Sequence, residues 1–400
     1  MSRAALHLID ELLGLIGHVS ARFSSGTSRK GEEAVSKIRI LGIGNPLLDI
    51  SSAVPKAFLE KYDIRSGNAI LAEEKHLPMY DELAQLPAVE YIAGGSTLNT
   101  IRVTQWMLQE EGATAYFGCI ADDKYGNILE KCAKDDGVFC HFMKVDDVAT
   151  GTCAVCITDK ERYSMQYTHL HFSFFCFFFW GHVMSLVANL SAANKFHVSH
   201  LDDSLAQEIL NSAQIVYSAG FFLTVSPESA LLCAEHCLAN NKIYAMNFSA
   251  EFIVSIFKDR VLALIPYATH IFTNENEVKK FGEANHIHCT SVAGLASKIS
   301  VSFQSKRKNK FSLIVTQGAD SVLIARDGQV KEYPVKKLPL EKIVDLNGAG
   351  DAFVGGYLSR LVQGKSEEEC VQAACYAAQF IIQTSGTKLT GKPNFVHSAN

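Results

Sequence analysis

Short β-rich runs that alternate with amphipathic helical stretches predict an α/β protein, a doubly wound, largely parallel sheet flanked by helices. Composition supports this: 48% of the 400 residues are apolar and 20% charged, enough for a sizeable core. The glycine-rich and polar clusters also follow the strands, and ligands bind such sheets beyond the strands' carboxyl ends.

Residues 1–36 read as an extension, a loose helix or poorly ordered segment preceding the domain at 37–400. Within it, RAALHLIDELLGLIGHVSAR (3–22) has helical spacing. Asp10 and Glu11 argue against a mitochondrial transit peptide, which avoids acids, so a cytoplasmic protein, present in the nucleus as well or not, is expected. Strands are predicted at IRILGIG (38–44), ATAYFGCI (113–120), QIVYSAG (214–220), KIYAMNF (242–248), THIFTN (269–274) and FSLIVTQ (311–317). Helices such as LNTIRVTQWMLQ (98–109) and SALLCAEHCLANN (229–241) separate them. A formal charge of −5 offers no footprint for nucleic acid, and SKRKNK (305–310) reads as a solvated loop. The eleven cysteines suggest no disulfide framework. Cys153 and Cys156 lie in an alternating stretch where positions i and i+3 face opposite sides, so this CxxC predicts no zinc site.

The richest stretch is VDLNGAGDAFVGGYLSRLV (344–362). Apolar residues at 353, 354, 357, 358, 361 and 362 form a helical stripe, which puts Gly348-Ala349-Gly350 at a helix N-terminus. There, backbone N–H groups converge on an anion, and Asp351 stands within reach of an attacking hydroxyl's proton. A glycine turn with an aspartate cap is the simpler reading. In YIAGGSTLNT (91–100), Gly94 and Gly95 allow close approach to a ligand, and Asn99 lies one turn into a helix. In GNPLLDI, Asn45 and Asp49 suit a vicinal diol, or else a turn and cap. Asn274 and Glu277 in TNENE could hold water on Mg²⁺, or form a capping box. Thr316-Gln317-Gly318 ends a further strand.

With GNPLLDI, AGGSTLN, GTCAVCI, AGFFLTVSPES, TQGAD and NGAGDAFVGG in this order, the chain resembles the ribokinase-like (PfkB) carbohydrate kinases from about residue 38 to 395. Within them it is similar to the adenosine-phosphorylating members. The resemblance implies transfer of the γ-phosphoryl of ATP to the 5′-hydroxyl of adenosine, with Mg²⁺, by a monomer of purine salvage that spans no membrane. A small β-rich lid is implied at about 46–72 and 145–195. Asp351 would be the general base, with Gly348, Ala349 and Gly350 the anion hole and Arg162 approaching the phosphates. Asp49, Gly94, Gly95 and Asn99 would hold the ribose, with Asn45 and Ser96 fixing the nucleoside. Phe221 would stack on the adenine beneath Leu186 and Ala188, although core packing accounts equally for those three. Thr316, Gly318 and Asn347 would lie near ATP, and Asn274 and Glu277 near Mg²⁺. Another nucleoside or sugar kinase of the family is the alternative.

The chain departs from the family pattern in four places. Leu346 stands where a threonine is expected, Ala69 where a glutamine and Cys375 where a histidine is often found. The fourth is FSFFCFFFW (172–180), inside a stretch, 163–194, without Asp, Glu, Lys or Arg. Relatives run from an Arg-Ser step straight into a lid strand. Here residues 163–184 intervene and the pattern resumes at Ser185. A membrane span there would split one sheet across a bilayer, so the segment is expected to be a hairpin insertion of splice or gene-model origin. If it packs into the cleft, a nucleoside-binding protein without turnover would result.

Overall fold

The computed structural model describes residues 34–66, 69–159, 182–308 and 311–397. Arg162, most of the 163–184 segment and residues 1–33 lie outside them. By internal contacts the chain divides into Met1–Ser36 and Lys37–Asn400, and the second unit carries everything below.

Its main sheet has nine strands in the order β14-β13-β12-β11-β10-β9-β1-β5-β6. They are β1 (Ile40–Ile43), β5 (Thr114–Ala121), β6 (Phe139–Val145), β9 (Ile215–Ala219), β10 (Ile243–Asn247), β11 (His270–Asn274), β12 (Ser312–Gln317), β13 (Asp320–Arg326) and β14 (Gln329–Tyr333). From β6 to β12 every pairing is parallel, and β13 and β14 close the other edge as antiparallel hairpins. β1 and β5 are buried along their whole length. This is why they read as unbroken apolar runs instead of alternating ones.

A second sheet runs β3-β8-β7-β2-β4. It comprises β2 (Leu47–Ala53), β3 (Ala69–Leu71), β4 (Glu90–Gly94), β7 (Thr152–Asp159) and β8 (His182–Asn189). It takes in Glu90–Gly94 as well as strands from the two segments expected to form a lid. The β7–β8 ladder continues to Asp159 opposite His182, so His182–Met184, read from sequence as part of the inserted segment, belong to the strand. Alternation divides the two cysteines of β7. Cys153 joins Leu47, Val155 and Met184, whereas Cys156 joins Ile50, Ala154 and Val187.

Two helices position the site. Ser96–Leu108 is buried almost throughout, and Ala349–Leu361 packs along it through Gly355, where a Cβ would lie 2.7 Å from the Thr100 carbonyl. Bulk is excluded at that crossing. The stripe at Phe353, Val354, Tyr357 and Leu358 is buried, as its spacing requires. Lys306 lies over the ring of Tyr267 and Arg307 donates to the Tyr267 carbonyl, so two cations of the basic run pack on the fold and do not simply face water. Among the described residues, no helix is long and apolar enough to cross a membrane.

Candidate active site

Asp351 lies in the first turn of the Ala349–Leu361 helix. Gly348 caps it with φ +76°, a left-handed conformation that glycine adopts without penalty. A Cβ there would also lie 2.6 Å from Thr387 Oγ1. Ala349 N–H donates to the Leu346 carbonyl at 3.3 Å; the other N–H groups at the start of the helix lack partners within it, and its dipole favours negative charge beside them.

The Ser96–Leu108 helix meets Asp351 from the other side. Ser96 Oγ donates to Asp351 Oδ1 at 2.6 Å and Asn99 Nδ2 donates to Oδ2 at 3.3 Å. Gly95 precedes that helix with φ +94°, its backbone packed on the Asn45 carbonyl. Asp49, in β2, turns its carboxylate onto Gly94, where a Cβ would come within 2.4 Å of its oxygens. Burial pushes Asp49 up to about 7; the Arg102 charge opposes this and the Asp351 charge adds to it. Asp351 is pushed up to about 6 by burial, against the pull of its bonds from Ser96 and Asn99. Two neighbouring carboxylates thus titrate far above the usual range, a mark of a site more than of a surface.

A cavity of about 480 Å³ opens beside them. Of the residues singled out in the sequence, Ser96, Leu186, Phe221, Asn274, Glu277, Thr316, Asn347, Gly348, Gly350 and Asp351 line it. Asn45, Asp49, Gly94, Gly95 and Asn99 stand behind this wall through the contacts just described, and Asn45 Nδ2 donates to the Phe221 carbonyl at 3.2 Å. Asn45 Oδ1 is buried without a protein partner. Ala188, Gly318, Ala349 and Cys375 are not among the lining residues. Ala188 packs with Leu47 and Cys153, opposite Cys153 in the β7–β8 ladder. Leu346 is exposed at the cavity wall and brings no hydroxyl.

Asn274 and Glu277 form a full capping box on the Glu275–Ala284 helix. Glu277 accepts from the Asn274 backbone N–H, from Asn274 Nδ2 and from Thr273 Oγ1. A carboxylate has about four acceptor positions, so one is left for the cavity. Burial pushes its pKa up. Among the described residues no group of three His, Cys, Asp or Glu could cage a metal. The Glu277 carboxylate at the wall fits Mg²⁺, which keeps much of its water and leans on phosphate oxygens.

Sequence reading missed several residues here. Asn247, the last residue of β10, and Ser249 just past it line the cavity, and the strand-end rule that located TNENE would have found them. Phe272, Thr273, Phe353 and Val354 complete the wall. Arg102, one of the helix residues behind the wall, gave no signal beyond a cation in an otherwise uncharged helix.

Known proteins resemble this architecture closely. The pfkB family carbohydrate kinase model matches residues 56–170 and 180–394, passing over 171–179, which take in all but the last residue of the phenylalanine run. Adenosine kinase 1 of Arabidopsis thaliana is 49% identical over 356 residues, 89% of this chain and 97% of that protein. A Dictyostelium discoideum adenosine kinase is 38% identical over 88% of this chain and 96% of its own. Among solved structures, Anopheles gambiae adenosine kinase in complex with P1,P4-di(adenosine-5) tetraphosphate superposes with a TM-score of 0.76 at 40% identity, covering 89% of this chain and 98% of that one. Schistosoma mansoni adenosine kinase with adenosine and AMP gives 0.75 at 30% identity, covering 89% and 98%. A nine-stranded, largely parallel sheet and a family match over most of the chain lead to one conclusion: the chain belongs to the pfkB family of carbohydrate kinases.

Proposed function

We propose that this chain transfers the γ-phosphoryl of ATP to the 5′-hydroxyl of adenosine, giving AMP and ADP, as a cytoplasmic monomer of purine salvage. The observation that carries the reading is the pairing of Asp351 with Ser96 and Asn99 beside a helix N-terminus in a 480 Å³ cavity. Phosphoryl transfer asks mainly for in-line positioning and for stabilisation of charge on the equatorial oxygens. Asp351 takes the proton of the attacking hydroxyl. Two donors fix its carboxylate and leave about two acceptor positions, one of which can take the substrate's hydroxyl. The N–H groups around Gly348, Ala349 and Gly350 receive the transferring phosphoryl.

Asp49 accepts from the ribose diol, with Gly94 and Gly95 letting the sugar approach and Asn99 beside it. The unpartnered Asn45 Oδ1 offers an acceptor to the nucleoside. Phe221 stacks on adenine with Leu186 over it and Ala188 behind; Phe221 already sits 6.1 Å from the ring of Phe252. Thr316, Gly318 and Asn347 border ATP, and Arg162 comes to the phosphates as the second sheet closes and excludes water. Asn274 and Glu277 would hold hydrated Mg²⁺, which neutralises phosphate charge when bound.

A coupled assay with adenosine, inosine and ribose as separate acceptors tests this. Adenosine should be turned over with much the highest kcat/KM. Preference for ribose or inosine would move the chain to another branch of the family. Adenosine binding by calorimetry without AMP formation would make it a silent nucleoside binder.

A further inference from the structure

Arg102 lies mid-way along the Ser96–Leu108 helix with its side chain only 4% exposed. A guanidinium buried this deeply persists only when fully partnered. Its Nε donates to Asp136 Oδ2 at 2.6 Å, Nη1 to the Ala93 carbonyl at 2.5 Å and to Asn99 Oδ1 at 3.2 Å, and Nη2 to the Thr387 carbonyl at 3.1 Å. Asp136 balances its charge; the other three acceptors belong to segments that build the catalytic wall. Ala93 adjoins Gly94, and the hydroxyl of Thr387 sits behind Gly348.

The bond to Asn99 matters most. A guanidinium has donors and no acceptor, so only the oxygen of the Asn99 amide can face it. That leaves the amide's N–H₂ facing Asp351 Oδ2. We propose that Arg102 is a positioning residue for the phosphoryl transfer, locking the Asn99 amide so that it presents N–H and not C=O to the Asp351 carboxylate. Without the lock the amide is free to turn. Its carbonyl would then repel the carboxylate and rotate the base away from the substrate hydroxyl. Arg102 touches no reacting atom and acts through Asn99. The inference rests on the reading of Asp351 as the base.

The test is a double-mutant cycle in the full chain with Arg102→Met, Arg102→Lys and Asn99→Ala, reading kcat, adenosine affinity by calorimetry, and thermal unfolding. Arg102→Met should lower kcat about 10- to 100-fold, as expected for a displaced base. Adenosine affinity should change less than about threefold, because the loss belongs to the transition state. Arg102→Lys, which keeps a donor and the charge, should recover part of the rate. In the Asn99→Ala background either Arg102 change should cost little more, since the amide it orients is gone. Should Arg102→Met fail to fold, the Arg102→Lys and Asn99→Ala pair carries the same comparison. Additive losses, an unchanged kcat in a folded variant, or a loss confined to adenosine affinity would each overturn the proposal. An active parent indifferent to Arg102 sinks this inference alone, whereas a parent that phosphorylates nothing sinks the functional reading with it.

Discussion

Ser96 and Asp351, 255 positions apart in sequence, meet at 2.6 Å where the first turns of two packed helices converge. Sequence-distant motifs thus become one cavity wall, and the consequences of the proposed function can be tested one at a time.

Acid should oppose activity and favour stability. Asp351 and Asp49 are raised by burial to about 6 and about 7. Their unfolded-state values lie near 3.9, so between about pH 4 and 7 the folded chain holds protons that the unfolded chain has released. The stability this pair contributes is complete below the unfolded value and is lost as pH rises through 6–7. Catalysis needs the ionised base, so kcat/KM should fall as pH drops through the same window. Paired pH profiles of turnover and melting temperature check the opposed slopes.

Gly350→Ala should separate fold from function. A Cβ on Gly350 meets no atom within 4 Å, in contrast to Gly348, whose positive φ and nearby Thr387 forbid it. The fold itself does not need that glycine; under the proposed function the incoming phosphate does. Melting temperature should hold or rise slightly, because Ala lowers unfolded-state entropy by about 0.4–1 kcal/mol. Phosphoryl transfer should slow at least ~10-fold by displaced geometry. Gly348→Ala should instead cost about 1–2 kcal/mol of stability.

Glu277→Gln should raise the Mg²⁺ concentration for half-maximal rate about tenfold, the usual weight of a group orienting metal ligands. Weakening the capping box should lower stability by about 1 kcal/mol. A magnesium titration and a denaturant melt measure the two effects.

Replacing residues 163–181 with a short polar turn should leave β7 and β8 paired through His182, since the ladder reaches that residue without the segment. Soluble yield should rise, because an aromatic run of low charge promotes aggregation. Turnover should be equal or higher; if it vanished, the segment would have to be part of the working enzyme. Peptide mapping of native protein would show whether the segment is present at all.

Much of this molecule is legible in its sequence, for identifiable reasons. The central strands announce themselves because both faces are buried, as in the fully buried run of β5. The Gly348–Asp351 cluster is legible because one local motif holds a glycine-rich helix start and a carboxylate together. Arg102 escapes such reading because its burial depends on Asp136, Ala93 and Thr387, which only the tertiary fold assembles. The Asn274–Glu277 pair shows a different limit: its spacing encodes a helix cap, and the same atoms serve the cavity, so pattern alone cannot separate the two roles. Asn247 and Ser249 line the cavity without a glycine beside them to mark the strand end.

The most direct measurement pairs Asp351→Asn with the parent protein, following AMP formation from adenosine and ATP alongside adenosine binding by calorimetry. The account predicts a fall in kcat of about 10²–10⁴-fold with adenosine still bound at near-parent affinity. A variant that keeps its rate, or that loses adenosine binding in step with it, would contradict the assignment of this carboxylate as the base.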